Sequence, residues 1–310
     1  MRILVTGVAG FIGSHVAQSL TKDGHQVIGV DSLVPIPYAV EPKLENLKAL
    51  RGIIEFHEMD LRVAGLQSCV EGVEVVVHAA GVAGLLPSWK HVGMYFSCNV
   101  AATARLAQAS VDFGVRRFVH LSSSSVYGGA YGAVETNVRR PLSPYGVSKK
   151  AAEDVLQVYQ NALGLPLTML RLFTVYGPRQ RADMAFNKFV DCILSGRPVV
   201  ITQALDSVRS VTYIDDCVAG IKLAIYRDGD GSTFNIAGAQ AVSLREVLAA
   251  IAEATGRHPI VVAGEARAGD QPASVADIGR ARIELGFQPE VSLSEGIIRQ
   301  VSWQKRRVPS

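Results

Sequence analysis

The sequence predicts an α/β protein with a doubly wound parallel sheet and a smaller C-terminal α/β domain. Short apolar runs alternate with helical patterns up to residue 173, which is typical of parallel strands joined by crossover helices. Beyond residue 173 the pattern changes to loops and shorter elements. We therefore expect one domain over 1–173, rejoined by 209–236, and a second domain made of 174–208 and 237–310.

The first thirty residues predict a strand, a glycine-rich turn, a helix and a second strand. Arg2 to Thr6 is a short apolar run, and a helical pattern covers Ser14 to Gly24. A second run from Gln26 to Val30 ends at Asp31. This order is typical of a Rossmann-type dinucleotide site, in which the glycines form the turn, admit a pyrophosphate and let the helix pack on the strand. The N-terminus of the helix then receives the phosphates.

The three glycines of this turn are Gly7, Gly10 and Gly13, spaced Gly-x-x-Gly-x-x-Gly. A purely structural turn is the alternative to dinucleotide binding. Asp31 stands where a carboxylate accepts from the adenosine ribose hydroxyls, and its charge would repel a ribose phosphate. The position therefore favours NAD over NADP, while a simple capping role for Asp31 stays open.

Further apolar runs predict strands at 53–56, 73–80, 117–121 and 167–173, and a helical pattern covers 100–113. Residues 32–52, which contain prolines, and residues 129–143 are predicted to be irregular. His78 stands on one of the apolar runs, and we interpret it as a packed core residue. The Gly/Pro-bounded loop 81–87 follows the same run, at the edge of the sheet where open parallel sheets bind ligands.

Tyr145 and Lys149 are the candidate catalytic pair. They stand four residues apart on a helix predicted to run from Pro144 to about Leu163, so both side chains lie on one face. A phenol has a pKa of about 10, and a fixed ammonium one turn away would stabilise the phenolate. Ordinary helix surface is the alternative. A serine run, Ser122–Ser125, follows the strand at 117–121, where a parallel sheet presents catalytic groups.

Composition argues against several other classes of protein. The 310 residues are 48% hydrophobic with a formal net charge of +3, and basic residues form no long block, so neither nucleic acid nor a membrane surface is an expected partner. No apolar stretch reaches the ~20 residues of a membrane span. The four cysteines lack metal-ligand or redox spacing, so we expect no metal and a reducing compartment. With no signal-peptide pattern at residue 1, we expect a cytoplasmic protein.

In order and spacing, the motifs resemble the extended short-chain dehydrogenase/reductases of the NAD-dependent sugar-nucleotide epimerase/dehydratase group. The resemblance extends over His78-Ala79-Ala80, Val126-Tyr127-Gly128, the segment 170–178 and 213–216. It implies NAD as the cofactor and a UDP-sugar as the substrate. The implied cofactor-binding residues are Gly7, Gly10, Phe11, Ile12, Gly13, Asp31, Asp60, Leu61, Ala79, Ala80, Asn99, Tyr145 and Lys149.

The same resemblance implies Ser123, Tyr145 and Lys149 as catalytic residues. In the family reaction, the tyrosine removes the O4 proton while C4 gives a hydride to NAD. The 4-keto sugar then turns over and takes the hydride back on its other face, which inverts C4. Ser123 would share a hydrogen bond with O4, and Lys149 would bind the nicotinamide ribose and lower the pKa of the tyrosine.

The local sequences are most similar to UDP-glucuronate 4-epimerases. Ser124 and Ser125 replace the Asp-Glu pair of family dehydratases, and hydroxyls there can bind a C6 carboxylate without supplying an acid. The implied substrate-binding residues are Ser124, Ser125, Thr174, Arg181, Met184, Val200, Thr202, Arg209, Arg267 and Asp270. The segment Gln203-Ala204-Leu205 departs from the family's Gly-Asp-Gly.

Two alternatives stay open at this stage. One is a UDP-glucose or UDP-N-acetylglucosamine 4-epimerase, and the other is a non-catalytic NAD-binding regulatory protein on the same fold. The resemblance also implies a homodimer, in which the helices over 99–113 and 145–163 pair across a two-fold axis. The helix over 145–163 has a wider apolar stripe than one packing face needs, which favours such a partner.

Overall fold

The computed structural model describes residues 1–35, 38–63, 65–265, 268–269 and 273–307. In chain order the strands are β1 (Arg2–Thr6), β2 (Gln26–Asp31), β3 (Glu55–Glu58), β4 (Val75–His78), β5 (Arg117–Ser123), β6 (Ala130–Ala133), β7 (Leu167–Leu172), β8 (Val175–Tyr176), β9 (Val199–Ile201), β10 (Val208–Ser210), β11 (Thr212–Tyr213), β12 (Thr233–Ile236), β13 (Ala241–Ser243), β14 (Val261–Ala263) and β15 (Ser274–Ala276).

Seven strands form one parallel sheet in the order β3-β2-β1-β4-β5-β7-β12, with every neighbouring pair parallel. The order reverses between β1 and β4, so the crevice beyond their carboxyl ends is the topological switch point at which such sheets bind ligands. The predicted doubly wound fold is therefore confirmed.

Both faces of this sheet are covered. Ile3 and Val5 of β1 pack into the hydrophobic cluster on one face, and Leu4 packs with Val76 and Phe118 into the cluster on the other. Burial on both faces explains why these strands read as continuous apolar runs rather than as alternating patterns.

The helices in the described residues are α1 (Phe11–Lys22), α2 (Glu41–Lys48), α3 (Gln67–Val70), α4 (Leu85–Lys90), α5 (Val92–Phe96), α6 (Ala102–Asp112), α7 (Pro144–Leu163), α8 (Ala185–Leu194), α9 (Ile214–Tyr226), α10 (Leu244–Thr255) and α11 (Leu293–Lys305). A π-helical turn, Ser97–Ala101, joins α5 to α6.

Helix α7 has the bounds expected from the sequence. The hydroxyl of Ser143 accepts a 3.1 Å hydrogen bond from the amide of Gly146 at its start, and Gly164 ends it with a φ of +69°. Helix α2, in contrast, corrects the prediction of an irregular segment. Pro42 stands at its first turn, where a missing N–H costs nothing, so this proline begins a helix rather than breaking one.

The remaining strands form smaller sheets. One has the order β13-β10-β15-β6, and β8 and β9 each pair with one further strand, β11 and β14. Strand β6 corrects the loop predicted over 129–143, because it pairs with β15 and so joins a sheet far from its sequence neighbours. The division into two domains stays a prediction. Among the described residues, no helix is both long and apolar enough to cross a membrane.

Candidate active site

A cavity of about 650 Å³ lies beyond the carboxyl ends of the strands around the switch point. It brings together most of the side chains predicted to bind cofactor or substrate. The predicted residues that line it are Gly7, Gly10, Phe11, Ile12, Gly13, Asp31, Asp60, Leu61, Ala79, Ala80, Ser123, Ser124, Ser125, Tyr145, Lys149, Thr174, Arg181 and Met184.

The glycine turn at the floor of the cavity leaves no space for side chains. Gly7 has a φ of +69°, and a Cβ there would lie 2.8 Å from Cα of Ala80. A Cβ on Gly13 would lie 2.2 Å from the carbonyl oxygen of Gly7. Gly10 caps α1 without a side-chain hydrogen bond. The bare backbone at a helix start is the cradle that a pyrophosphate requires, so these residues fit NAD.

Asp31, at the end of β2, is buried and accepts three hydrogen bonds from the protein. Its Oδ2 accepts from the amide of Ala9 at 3.2 Å, and its Oδ1 accepts from the amide of Leu33 at 2.9 Å and from Nζ of Lys43 at 3.2 Å. Lys43 is not among the predicted site residues, because helix α2 was not predicted. The ammonium of Lys43 offsets the negative charge of Asp31. Asp31 would therefore repel a ribose phosphate less strongly than the sequence alone suggests.

Asp60 lines the same cavity and pairs with Arg62, a second cation that was not predicted. Arg62 donates from Nε at 3.0 Å and from Nη2 at 2.6 Å, and this pairing lowers the pKa of the Asp60 carboxyl. Both side chains line the cavity wall.

Tyr145 and Lys149 lie one turn apart on α7, with Ser123 opposite them at the end of β5. The hydroxyl of Ser123 hydrogen-bonds the phenol. Burial raises the pKa of Tyr145, and this hydrogen bond and the Arg181 guanidinium oppose the rise. Nζ of Lys149 donates to the carbonyl oxygen of Leu121 at 2.6 Å. Arg181 is the cation whose charge lowers the pKa of Tyr145 in the structure, and the same effect of Lys149 stays a prediction.

The buried position of Lys149 determines the pKa of its ammonium. Burial lowers the pKa of its ammonium to about 8, and the carboxylate of Glu153 opposes this. His78 and His120 lie nearby with ring centroids 5.3 Å apart, and burial together with the lysine charge lowers the pKa of both. His78 is held between the hydroxyls of Thr6 and Thr103, at 2.8 Å each, as a packed core residue.

The serine segment, Ser122–Ser125, turns through a short 3₁₀ helix directly after β5. The hydroxyl of Ser123 accepts from the amide of Ser125 at 3.1 Å, which fixes the turn. The hydroxyl of Ser122 points away to Glu153. Ser124 and Ser125 line the cavity, together with Thr174 beyond the end of β7.

Arg181 reaches the cavity from the loop before α8. It forms a two-pronged pair with Asp183, at 2.9 Å and 2.8 Å, and its guanidinium lies 5.2 Å from the ring centre of Tyr38. Tyr38 comes from the segment predicted to be irregular, and no pattern in the sequence indicated its position in the site. Its ring centre also lies 5.8 Å from Nζ of Lys43, so one tyrosine ring lies near both cations.

Asn99, predicted to bind the cofactor, uses its amide within the protein. It accepts from the amide of Val82 at 2.8 Å and donates to the carbonyl of Val82 and the hydroxyl of Ser148, both at 2.9 Å. Asn99 therefore ties the loop after β4 to α7, and its contact with the cofactor stays a prediction.

The remaining predicted substrate residues lie apart from this cavity or cannot be placed. Val200 and Thr202 lie on and just after β9, and Arg209 lies on β10, where its Nη2 donates to Gln203 at 2.6 Å. None of these three lines the cavity. Arg267 and Asp270 lie outside the described residues. Within the described parts of the chain, no group of three or more His, Cys, Asp or Glu side chains could hold a metal ion.

A doubly wound sheet, a glycine cradle and a Ser/Tyr/Lys set around one cavity define an extended short-chain dehydrogenase/reductase. The chain belongs to the NAD dependent epimerase/dehydratase family, whose model matches residues 3–237.

Relatives within this family differ in the sugar named. The chain is 40% identical to an uncharacterized UDP-glucose epimerase, YtcB, of Bacillus subtilis (strain 168), over 98% of both chains. It is 32% identical to a UDP-glucuronate 4-epimerase of Thermodesulfobacterium geofontis (strain OPF15), over 98% of this chain and 96% of that one. The crystal structure of the UDP-glucuronic acid 4-epimerase of Bacillus cereus, in complex with UDP-glucuronic acid and NAD, superposes with a TM-score of 0.95 at 34% identity, covering 99% of this chain and 100% of that one.

Proposed function

We propose that the protein is an NAD-dependent epimerase that inverts C4 of UDP-glucuronate and UDP-galacturonate. The observation that carries the proposal is the composition of one cavity. Ser123 hydrogen-bonds Tyr145 there, and the hydroxyl-bearing Ser124, Ser125 and Thr174 lie beside them. The relatives named above, which include a UDP-glucuronate 4-epimerase at 32% identity, support it.

The residues that would hold NAD are the glycine turn for the pyrophosphate, Asp31 for the adenosine ribose, and Tyr145 with Lys149 for the nicotinamide ribose. When bound, NAD supplies a hydride acceptor and donor, so that C4 can pass through a ketone and be reduced again on its other face. No net oxidation results, and the cofactor therefore stays with the protein through the cycle.

The protein's own groups move the proton. Tyr145 as phenolate accepts the O4 proton and later returns it, and the Ser123 hydroxyl stays hydrogen-bonded to the same oxygen. Because burial raises the pKa of Tyr145, the neighbouring positive charges are needed to make the phenolate accessible. Arg181 supplies one of them, and the predicted effect of Lys149, one turn away on α7, would add to it.

On the substrate side, Ser124, Ser125 and Thr174 would donate to the C6 carboxylate. Hydrogen bonds to a charged group contribute about 1.5–3 kcal/mol each, so three neutral donors can bind the anion and leave it ionised. None of the three is an acid that could assist loss of carbon dioxide or water. Arg209 and Arg267 would hold the diphosphate, for which a guanidinium fork is suited. Arg267 would come from the domain made of 174–208 and 237–310, and Arg209 from the segment 209–236 that rejoins the first domain.

A UDP-glucose 4-epimerase is the second candidate, and the 40% identity to the Bacillus subtilis relative favours it. The experiment that separates the two is a comparison of kcat/KM for UDP-glucuronate, UDP-glucose and UDP-N-acetylglucosamine. The proposal requires the highest value for UDP-glucuronate. A preference for UDP-glucose would transfer the assignment to the second candidate, and turnover of none of them would favour a regulatory NAD-binding role.

We also propose a cytoplasmic homodimer. The four cysteines are free thiols, which suits a reducing compartment. On α7, Val147 and Val158 are 40% and 64% exposed on the same face, three turns apart, and such a face usually marks a partner. Light scattering should give twice the chain mass, and Val158→Glu should give a monomer. The control is Tyr226→Glu, at a position 58% exposed on α9, which should leave the dimer intact.

A further inference from the structure

Glu153 is a buried carboxylate on the helix that carries Tyr145 and Lys149. Its side chain is 1% exposed, and it follows Lys149 by four residues and Tyr145 by eight. Side chains at this spacing share one helix face, so the three form a single stripe directed at the sheet. Glu153 is not among the predicted site residues and has no role in the reaction proposed above.

The carboxylate of Glu153 is held by four hydrogen bonds from three side chains. The hydroxyl of Ser122 donates to Oε1. Arg171 on β7 donates from Nε to Oε1 at 3.0 Å and from Nη2 to Oε2 at 2.8 Å. Arg139 donates from Nη1 to Oε2 at 3.0 Å. A carboxylate offers about four acceptor sites, so Glu153 is saturated and fixed in one orientation.

Arg171 extends this network to the loop that follows the serine segment. Its Nη1 donates to the phenol oxygen of Tyr127 at 2.8 Å and to the carbonyl of Glu135 at 2.9 Å. The phenol of Tyr127 donates in turn to the side-chain carbonyl of Asn235 at 2.8 Å. Both ends of the serine segment are therefore tied to the same buried ion pair, Ser122 at one end and Tyr127 just past the other.

We propose that Glu153 is a positioning residue for the reaction, which fixes the serine segment to α7 through Ser122 and places a carboxylate one turn below the Lys149 ammonium. The inference rests on the proposed epimerase function for its kinetic part. Its electrostatic part concerns only this chain and does not require turnover.

The effect of removing the Glu153 carboxylate on the pKa of Lys149 depends on the other groups that face this lysine. From α7 these are Tyr145 and Glu153, and from β4 and β5 they are His78 and His120, whose pKa values burial and the lysine charge lower. The histidines stay neutral, so Glu153 is the group that favours the charged lysine. Without it, burial would lower the pKa of Lys149 further below about 8.

The test compares Glu153→Gln, Ser122→Ala and the control Asp154→Asn. Asp154 is the next residue on α7 and also pairs with Arg139, but its side chain is 44% exposed. In protein with ¹³C-labelled lysine, NMR titration should show the pKa of Lys149 lowered by about one unit in Glu153→Gln. It should be unchanged in Ser122→Ala and in the control.

Turnover of UDP-glucuronate should fall about tenfold or more in kcat for Glu153→Gln, and severalfold for Ser122→Ala, with KM little changed. Asp154→Asn should keep wild-type kcat. An unshifted Lys149 in folded Glu153→Gln would overturn the proposal whatever the substrate proves to be. If Glu153→Gln fails to fold, wild-type kcat in Ser122→Ala overturns it, and a fall in kcat with KM unchanged supports it.

Discussion

Nζ of Lys149 donates a 2.6 Å hydrogen bond to the carbonyl oxygen of Leu121, two residues before Ser123 on β5. This bond fixes the lysine of α7 against the strand that delivers the catalytic serine. The ammonium is buried, and burial lowers its pKa to about 8. The buried ammonium of Lys149 therefore lowers the free energy of unfolding, and the size of this penalty depends on pH.

We expect this cost to be visible in stability. Burial penalises the charged lysine, so the penalty is fully present below about pH 8 and is relieved as the pH rises from there toward the ordinary pKa of 10.5. In nucleotide-free protein, the free energy of unfolding of the wild type relative to Lys149→Met should rise by roughly 1–2 kcal/mol between pH 7.5 and 9.5. Urea melts at both pH values measure it.

Lys150→Met is the matched control for this prediction. Lys150 is the adjacent residue, 35% exposed and paired with Asp154 at 2.7 Å, so its removal should give no pH-dependent difference in this window. If the difference in the free energy of unfolding between wild type and Lys149→Met does not change with pH, burial does not destabilise the charged lysine.

Tyr145→Phe should lower kcat by about two to four orders of magnitude, because it removes the proposed base and keeps the ring. Affinity for the UDP-sugar, measured by calorimetry, should stay within severalfold of wild type. Tyr131→Phe, on β6 at a side chain that is 73% exposed, should change neither value. Near wild-type turnover in Tyr145→Phe would refute the assignment of the phenol.

We expect NAD to remain bound through purification and to be released on denaturation. Gly13→Ala should abolish this, because the new Cβ would lie 2.2 Å from the carbonyl oxygen of Gly7 and would displace the turn. The control is Gly93→Ala on α5, where a Cβ meets no atom within 4 Å. NAD content per chain, read by absorbance after denaturation, should be high in the wild type and the control. Full retention of NAD in Gly13→Ala would contradict the assignment of the glycine turn as the pyrophosphate site.

Thr174→Val should reduce kcat/KM for UDP-glucuronate at least tenfold, an effect of about 1.4 kcal/mol that one lost charge-assisted hydrogen bond can supply. Volume is nearly conserved, and any activity on UDP-glucose serves as the internal control because that sugar lacks the carboxylate. Equal losses on both sugars would show that Thr174 does not recognise C6.

Structural elements that depend on neighbouring residues were predicted from the sequence. Elements that depend on pairing between distant segments were not. Helix α7 was foreseen because Ser143-Pro144 and Gly164 are strong end signals. Strand β6 was not, because its partner β15 lies far along the chain. Helix α2 was not predicted because prolines stand at 35, 37 and 42, and for the same reason the pairing of Lys43 with Asp31 was not predicted.

The candidate site divides in the same way. The glycine turn and the Tyr145/Lys149 spacing are short-range patterns, and the structure places them around one cavity. The Glu153–Arg171 pair and the position of Arg181 beside Tyr145 depend on the packing of separate elements, which no local spacing reveals. The effect of Lys149 on the pKa of Tyr145, expected from helical spacing, stays a prediction, whereas Arg181 has this effect in the structure.

The most direct test of the central claim is a ¹H NMR time course of the protein with UDP-glucuronate in D₂O, without added NAD. We expect UDP-galacturonate to accumulate to equilibrium with protium retained at C4, because the hydrogen leaves and returns as hydride without meeting solvent. Deuterium at C4, a decarboxylated or dehydrated product, or an unchanged spectrum would contradict the account.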